Sequence, residues 1–253
     1  MKDSLMKKAP YVKQASLLPM LALLALLLPT ASAWSACTVS RLDPNNKPQV
    51  SDCQKAAEQG DPAAQVALGS IYFNGEDTLL NYKEAHSWYQ KAAEQGSAHA
   101  MFNIGVMHDK GYHVDQDFDE AAKWYRKAAE LGFPEALFNL GVMYEYGQSV
   151  PKDLEKAHEY YLIAAEKGDP SAQFSIGLLY DKGLGVEQNL VTAYMWWDIT
   201  GEGYIHAQHN RESLAEDMTP MQISEAKRLA EIWRQKHAHV KQLPPQKFQP
   251  GFE

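Results

Sequence analysis

The chain has 253 residues, 45% of them hydrophobic, which is enough to bury a core in one or two domains. Its 32 acidic residues outnumber its 24 basic ones and give a formal net charge of -8. An acidic surface repels phosphate backbones, so the composition argues against nucleic acid as a partner.

Residues 1–33 have the order of parts found in a secretory signal peptide. A lysine-containing start precedes an apolar stretch at 15–28, and Ala31-Ser32-Ala33 follows, the small-x-small pattern that signal peptidase cleaves. The apolar stretch contains a proline and is shorter than the ~20 residues that span a bilayer, so we favour export over a membrane anchor. We predict cleavage after Ala33, which leaves no integral membrane segment in a mature protein located in the periplasm or outside the cell. A lipoprotein form, cleaved before Cys37, is the weaker alternative.

Residues 34–51 form a short N-terminal segment before the first predicted helix. The chain has two cysteines, Cys37 in this segment and Cys53 at the start of that helix. Two cysteines in an oxidising compartment normally form a disulfide, so we predict a bridge that ties the segment to the helix. A two-cysteine zinc site is the weaker alternative, since no nearby histidine supplies the remaining ligands.

Three columns of glycine recur at a fixed interval of 36 residues. They are Gly60, Gly96, Gly132 and Gly168; Gly69, Gly105, Gly141 and Gly177; and Gly75, Gly111, Gly147 and Gly183. A period of this length indicates a solenoid, in which each unit is too small to bury its apolar face alone and packs against its neighbours. The pattern predicts an all-α solenoid of antiparallel helix pairs.

The first helix of each unit has recognisable start and stop signals. Asp61-Pro62 and Asp169-Pro170 place a capping carboxylate before a proline at the first helical position. Gly75 and its repeats are predicted to end the helix. Glycine inside a helix costs roughly 1 kcal/mol relative to alanine, so Gly69 and its repeats must be compensated by the close approach of a second helix.

The second helix opens at a column of Asn or Asp and carries a stripe in which small residues alternate with aromatic ones. The capping column is Asn81, Asp117, Asp153 and Asn189, and the stripe of the first full unit is Tyr82, Ala85, Tyr89 and Ala92. This alternation lets neighbouring helices interlock. The recurring phrase WYQKAAEQG, at 88–96, is therefore interpreted as the packing face and C-terminal end of this helix.

Together these columns resemble the Sel1-like repeats, which are relatives of the tetratricopeptide repeat. The family motif Ala-x-x-x-Leu-Gly-x-x-Tyr-x-x-Gly, followed by Ala-x-x-Trp-Tyr-x-x-Ala-Ala-x-x-Gly, is matched by Ala64, Leu68, Gly69, Tyr72, Gly75, Ala85, Trp88, Tyr89, Ala92, Ala93 and Gly96. The resemblance covers about Asp52 to Trp233 and implies a right-handed superhelix.

The resemblance also divides the chain into a solenoid at 52–236 and a proline-rich tail at 237–253, which we predict to be disordered. The solenoid consists of a half repeat, four full repeats and a capping helix pair. The full repeats lie at about 61–96, 97–132, 133–168 and 169–203, and the capping pair lies at 204–236.

Members of this family are mostly adaptors, so the resemblance implies that the concave side, formed by the first helices, binds a protein or peptide partner. The candidate residues on that side are Phe102, Val106, Asp109, Lys110, Phe138, Val142, Glu145, Tyr146, Phe174, Asp181 and Lys182. The three phenylalanines could form a peptide-binding floor, but we favour the alternative that they fill the core between repeats. The charged residues are the better surface candidates, although a charge at a helix end is usually just solvated.

The sequence carries no G-x-S-x-G, H-E-x-x-H, P-loop or dinucleotide fingerprint. His206 and His209 offer only two metal ligands, as do His237 and His239, so we predict no metal and no cofactor. We interpret the chain as a monomeric, non-enzymatic scaffold. One alternative is an enzyme acting on cell-wall or β-lactam compounds, as implied by cysteine-rich secreted relatives whose repeats each carry a cysteine pair that this chain lacks. The other is an architectural subunit of an envelope complex.

Overall fold

The computed structural model describes residues 50–75, 79–201 and 203–238. Every regular element within these ranges is a helix, so the predicted all-α fold is confirmed. The eleven helices are α1 (Val50–Glu58), α2 (Pro62–Asn74), α3 (Tyr82–Glu94), α4 (Ala98–Lys110), α5 (Phe118–Glu130), α6 (Pro134–Tyr146), α7 (Leu154–Glu166), α8 (Pro170–Lys182), α9 (Leu190–Thr200), α10 (Ile205–Glu216) and α11 (Pro220–Lys236).

The helices pack in pairs that stack along the chain. α2 packs against α3, α4 against α5, α6 against α7 and α8 against α9, and we number these pairs repeat 1 to repeat 4. α3, α5 and α7 each also pack against the first helix of the next repeat. α1 packs on α2 at one end of the stack, and α9 packs against both α10 and α11 at the other. This neighbour-to-neighbour packing is that of a solenoid, as predicted.

The predicted helix ends are confirmed. The Asp61 carboxylate accepts hydrogen bonds from the backbone N–H groups of Ala63 and Ala64, at 2.8 and 3.1 Å. α2, α4, α6 and α8 each end at a glycine in the left-handed conformation, with φ between 65° and 73°. Only glycine adopts this conformation without a steric cost from Cβ, which explains the column that begins at Gly75.

The glycines inside the first helices lie beneath aromatic rings of the second helices. A Cβ atom added at Gly69 would lie 2.6 Å from Cε1 of Tyr89, and one added at Gly141 would lie 2.5 Å from Cε1 of Tyr161. Tyr125 covers Gly105 in the same way, and in repeat 4 the ring of Trp197 covers Gly177. The predicted close approach of a second helix is therefore confirmed.

Small clusters of buried side chains form the core, and they join one repeat to the next. At the junction of repeats 1 and 2 the buried residues include Ala85, Tyr89 and Ala92 of α3 with Ala100, Ile104 and Met107 of α4. Clusters of similar make-up join repeats 2 and 3 and repeats 3 and 4. The alanines leave room for side chains of the next helix, which is the interlocking that the sequence predicts.

An ion-pair cluster holds the last two helices against repeat 4. Asp198, on α9, accepts hydrogen bonds from Arg211 of α10 at 2.8 Å and from Arg234 of α11 at 2.6 Å. Arg234 also donates to the backbone carbonyl of Asp198 at 2.7 Å. One carboxylate thus links three helices.

Several predictions fall on residues outside the described ranges. These are the signal peptide at 1–33, nearly all of the segment at 34–51, Cys37 and the part of the tail beyond residue 238. Cys53 is fully buried. Because Cys37 is not described, the bridge between the two cysteines stays a prediction. Across the described residues, no helix combines the length and apolar character needed to cross a membrane.

Candidate functional site

The predicted phenylalanine column lies half-buried along the first helices. The ring centroid of Phe138 is 5.4 Å from that of Tyr161, beside the core cluster that joins repeats 3 and 4. Phe102 lies 5.2 Å from Phe133, and Phe174 lies 5.3 Å from Tyr204. All three rings therefore pack against the aromatic residues of the fold, as core residues do.

Four of the predicted charged residues form two ion pairs, each between adjacent residues of the chain. Lys110 Nζ lies 3.1 Å from Asp109, and Lys182 Nζ lies 2.8 Å from Asp181. The aspartate side chains are only 17% and 15% exposed, whereas those of the lysines are 36% and 65% exposed. At the C-terminal ends of α4 and α8, the lysine side chain is therefore more accessible than the aspartate beside it, which is largely covered.

Glu145 and Tyr146, at the same positions of α6, differ in their accessibility. The Tyr161 hydroxyl donates a hydrogen bond of 2.6 Å to Oε2 of Glu145. Burial raises the pKa of Tyr161 far above its usual range, and the negative charge of Glu145 raises it further, so the phenol stays protonated as a donor. Glu145 is thus engaged within the fold, whereas Tyr146 is 64% exposed.

A cleft of about 230 Å³ lies between repeats 2 and 3. It is lined by Asp109, Lys110, Gln116, Phe118, Tyr125, Asn139, Val142, Met143 and Gln148. Three of the predicted residues, Asp109, Lys110 and Val142, meet there. The other eight predicted residues, among them Val106, lie outside the lining of this cleft.

The cleft combines an apolar wall with amide groups. Val142, Met143 and Phe118 supply the apolar surface, and Asn139 and Gln148 supply side-chain amides. An amide offers both a donor and an acceptor, which is what the backbone of an extended peptide requires.

Tyr125 lies at the base of this cleft. Burial raises the pKa of its phenol well above the ordinary value, and the negative charge of Asp109 adds to the effect. The phenol therefore stays neutral at physiological pH.

Two loop residues of the cleft, Gln116 and Gln148, were not predicted as site residues from the sequence. Gln116 Nε2 donates to the backbone carbonyl of Asp109 at 2.8 Å, which folds the loop after α4 back on its helix. Gln188 makes the same bond to Asp181 two repeats later, at 2.7 Å. The recurrence of glutamine after 72 residues, which is twice the 36-residue period, was a signal for this loop conformation.

Two of the histidines considered as ligands lie beside aromatic rings. His206 lies 6.3 Å from Phe174, measured between ring centroids, and His237 stacks on Trp233 at 4.2 Å. His239 lies outside the described residues. In the part of the chain that the structure describes, no three His, Cys, Asp or Glu side chains converge so as to hold a metal ion.

Solved structures with a similar architecture come from several bacteria. A Sel1 repeat protein from Oxalobacter formigenes is 26% identical, with a TM-score of 0.68 over 85% of this chain and 91% of that one. A protective antigen present in uropathogenic Escherichia coli, which displays the same repeat fold, is 26% identical with a TM-score of 0.55 over 87% of this chain and 56% of that one. An immunity protein from Pseudomonas aeruginosa, 21% identical over 89% of this chain and 91% of that one with a TM-score of 0.52, shares the fold.

The described helix pairs coincide with the repeats of a known protein family. A model of the Sel1 repeat matches residues 53–61, 62–97, 98–133, 134–169 and 170–199. No curated protein matches the chain. Since the matched segments cover more than half of the sequence and each full segment spans one helix pair, this protein belongs to the Sel1 repeat family.

Proposed function

We propose that this protein is an exported, monomeric scaffold that binds a protein or peptide partner on the face formed by its first helices. The observation that supports the proposal most directly is the cleft between repeats 2 and 3. Repeat scaffolds of stacked helix pairs use such extended faces to bind other chains.

The chemistry of the cleft fits an extended segment of a partner. The amides of Asn139 and Gln148 can pair with backbone groups, while Val142 contacts an apolar side chain. The exposed ring of Tyr146, at the C-terminal end of α6, extends the apolar surface. Aromatic side chains of this kind often contribute much of the binding free energy at protein interfaces.

The test is affinity capture with the mature protein, residues 34–253, from an envelope extract. Bound proteins are identified by mass spectrometry, and their binding segments are mapped on peptide arrays. The cleft variant combines Lys110→Glu, Tyr146→Ala and Gln148→Ala. Phe138 and Glu145 are left unchanged, because both pack or form hydrogen bonds within the fold.

A matched variant on the second helices serves as the control: Lys83→Glu, Gln90→Ala and Ile163→Ala lie on α3 and α7. Both variants must retain the helical circular dichroism of the natural protein. We expect a partner that binds the natural protein and the control variant but is lost from the cleft variant. Equal capture by all three proteins would reject this face as the binding surface.

Export is tested separately from binding. Expression with residues 1–33 in a bacterial host should release a mature chain into the periplasm or medium whose mass corresponds to a start at Trp34. Alkylation without reductant should leave its two cysteines unmodified if they form a disulfide. A full-length chain in the cytoplasm, or two alkylated thiols, would contradict these proposals.

A further inference from the structure

Three histidine rings meet at the junction of repeats 1 and 2. His86 lies on α3, His108 lies in the last turn of α4, and His113 lies in the loop that follows. The ring centroid of His86 is 6.5 Å from that of His108 and 6.0 Å from that of His113. The cluster thus connects the second helix of one repeat with the first helix and loop of the next.

His86 and His108 are partly buried and His113 is exposed, and the junction is locally strained. Nδ1 of His108 is buried and has no hydrogen-bond partner. His113 adopts a left-handed conformation, with φ of 67°, which is unfavourable for a residue other than glycine. At the equivalent position of repeat 4 the chain has Gly185, with φ of 70°.

The groups around the cluster oppose a positive charge on His86. Burial lowers the pKa of His86, and His113 and His108 lower it further. The backbone N–H of Glu120 and, to a smaller extent, the nearby His108 lower the pKa of the Asp117 carboxyl. This carboxylate accepts hydrogen bonds from the N–H groups of Asp119 and Glu120, at 2.9 and 3.0 Å, as the N-cap of α5. Protonation of His86 therefore places a positive charge in a partly buried position beside the rings of His108 and His113.

This junction differs from the corresponding junction of repeats 2 and 3. There the equivalents of His86 and His108 are Ala122 and Tyr144, neither of which gains charge in mildly acidic solution. Ala122 is buried, and Tyr144 stacks on Tyr160 with ring centroids 5.5 Å apart. The molecule therefore contains a natural reference junction with no histidine at either position.

We propose that the junction of repeats 1 and 2 is an acid-sensitive hinge, packed when the three histidines are neutral and loosened when His86 takes up a proton. Acid should weaken the junction because His86 is harder to protonate in the folded state than in the unfolded chain. Such a histidine stabilises the folded state fully above pH ~6.5 and progressively less as the pH falls below that value. Loosening separates α1, α2 and α3 from the rest of the array. The helical face offered to a partner is then shorter in mildly acidic surroundings.

Hydrogen–deuterium exchange of the whole mature protein tests the hinge helix by helix. Rates at pH 7.5 and pH 5.5 are corrected for intrinsic exchange and compared between α3–α4 and the reference helices α5–α6. We expect acid to accelerate exchange in α3–α4 several-fold relative to the reference helices, because protonation of His86 is less favourable in the packed junction. Equal behaviour of the two junctions would overturn the proposal.

A matched double variant, His86→Ala with His108→Tyr, gives the junction the residues of the reference junction. We expect it to abolish the extra acceleration, whereas His209→Ala, at an exposed position on α10, should retain it. Acceleration that persists in the double variant would contradict a histidine origin. If the double variant fails to fold at pH 7.5, His113→Gly replaces it: this change adopts the residue of repeat 4, relieves the φ of 67° and should reduce the acceleration.

Discussion

At the scale of single residues, the contact between a helical glycine and an aromatic ring decides how closely the two helices of a repeat can approach. Gly141 sits under Tyr161, whose ring is fully buried and whose hydroxyl is held by Glu145. The ring therefore has little freedom to move aside. The intrinsic helix preference for alanine and the packing in the folded state act in opposite directions at this position.

Gly141→Ala tests which of these effects dominates. Helix propensity alone predicts a gain of roughly 1 kcal/mol. A Cβ 2.5 Å from the Tyr161 ring predicts overpacking that costs about 2 kcal/mol net. We expect destabilisation in urea unfolding monitored by circular dichroism. The double variant with Tyr161→Leu should lose less than the sum of the two single variants, and strict additivity would show that the contact is unimportant.

Asp169 is a second residue at which two effects oppose each other, here the helix-capping hydrogen bond and the burial of a carboxylate. It caps α8 by accepting a 2.7 Å hydrogen bond from Ala172 N–H, yet it is only 3% exposed. Burial, with a contribution from the charge of Glu135, raises the pKa of its carboxyl to about 7. A raised folded-state pKa means that stability from this group falls as the pH rises towards 7 and is regained as the pH falls.

Asp169→Asn keeps a side-chain oxygen for the cap and removes the buried charge. We expect the variant to be more stable than the natural protein at pH 8 and the advantage to be clearly smaller at pH 5, because the folded natural protein then carries a neutral carboxyl; the rest of the advantage disappears only as the pH falls towards 3.8, the pKa of an ordinary carboxyl. Unfolding curves of both proteins at the two pH values measure the difference. An advantage that does not change with pH would exclude a titrating Asp169.

At the scale of helices, the C-terminal end of the array is held differently from its middle. The middle repeats are joined by buried alanine and tyrosine side chains, whereas α10 and α11 depend also on the two arginines bound to Asp198. The Asp198 side chain is 14% exposed, so its ion pairs are shielded from solvent more than those on the open surface. A shielded ion pair is costly to break on one side, because a buried charge is then left without its partner.

Asp198→Ala should therefore loosen the last two helices. We expect a loss of about 2 kcal/mol in unfolding free energy, with faster hydrogen exchange in α10 and α11 before the rest of the array. Glu225→Ala is the control, because it removes an exposed ion pair to Arg228 within α11. That variant should be indistinguishable from the natural protein. Equal effects of the two substitutions would show that Asp198 does not link the helices.

At the scale of the whole molecule, the repeats are similar modules, and a cleft lies between repeats 2 and 3. The contacts of α5 with α6 and of α7 with α8 use equivalent positions along the 36-residue period. Such an array depends on nearest-neighbour interfaces, so it tolerates the loss of one unit better than a globular core would. The cleft, by contrast, is lined only by side chains of repeats 2 and 3 and the loops that follow their first helices.

Deletion of residues 134–169 tests the modular stability of the array separately from binding at the cleft. The deletion joins Phe133 to Pro170 in place of Pro134, so the start of the next helix keeps its proline. We expect a folded, helical and less stable protein that has lost Val142 and Gln148, and with them partner capture. Loss of helical circular dichroism would contradict modular packing, and undiminished capture would place the partner elsewhere on the array.

The sequence alone determined the local structure and the way in which neighbouring units pack. Glycine, capping and alanine columns act over a few residues and recur in every unit, so their period carries enough information to predict helix pairs, helix ends and the glycine contact. The family resemblance predicted three residues of the cleft but not its loop glutamines. The loop that holds Gln116 takes its conformation from that side chain, which folds back on a backbone carbonyl.

The tertiary structure alone decided which polar side chains remain available to a partner. Glu145 is held by Tyr161, Asp109 and Asp181 lie against their neighbouring lysines, and Asp198 joins three helices. Each of these pairings depends on the distance between two side chains in space. A repeating sequence pattern fixes which residue types face each other across a junction, but the individual partners of polar groups are set only when the helices are packed together.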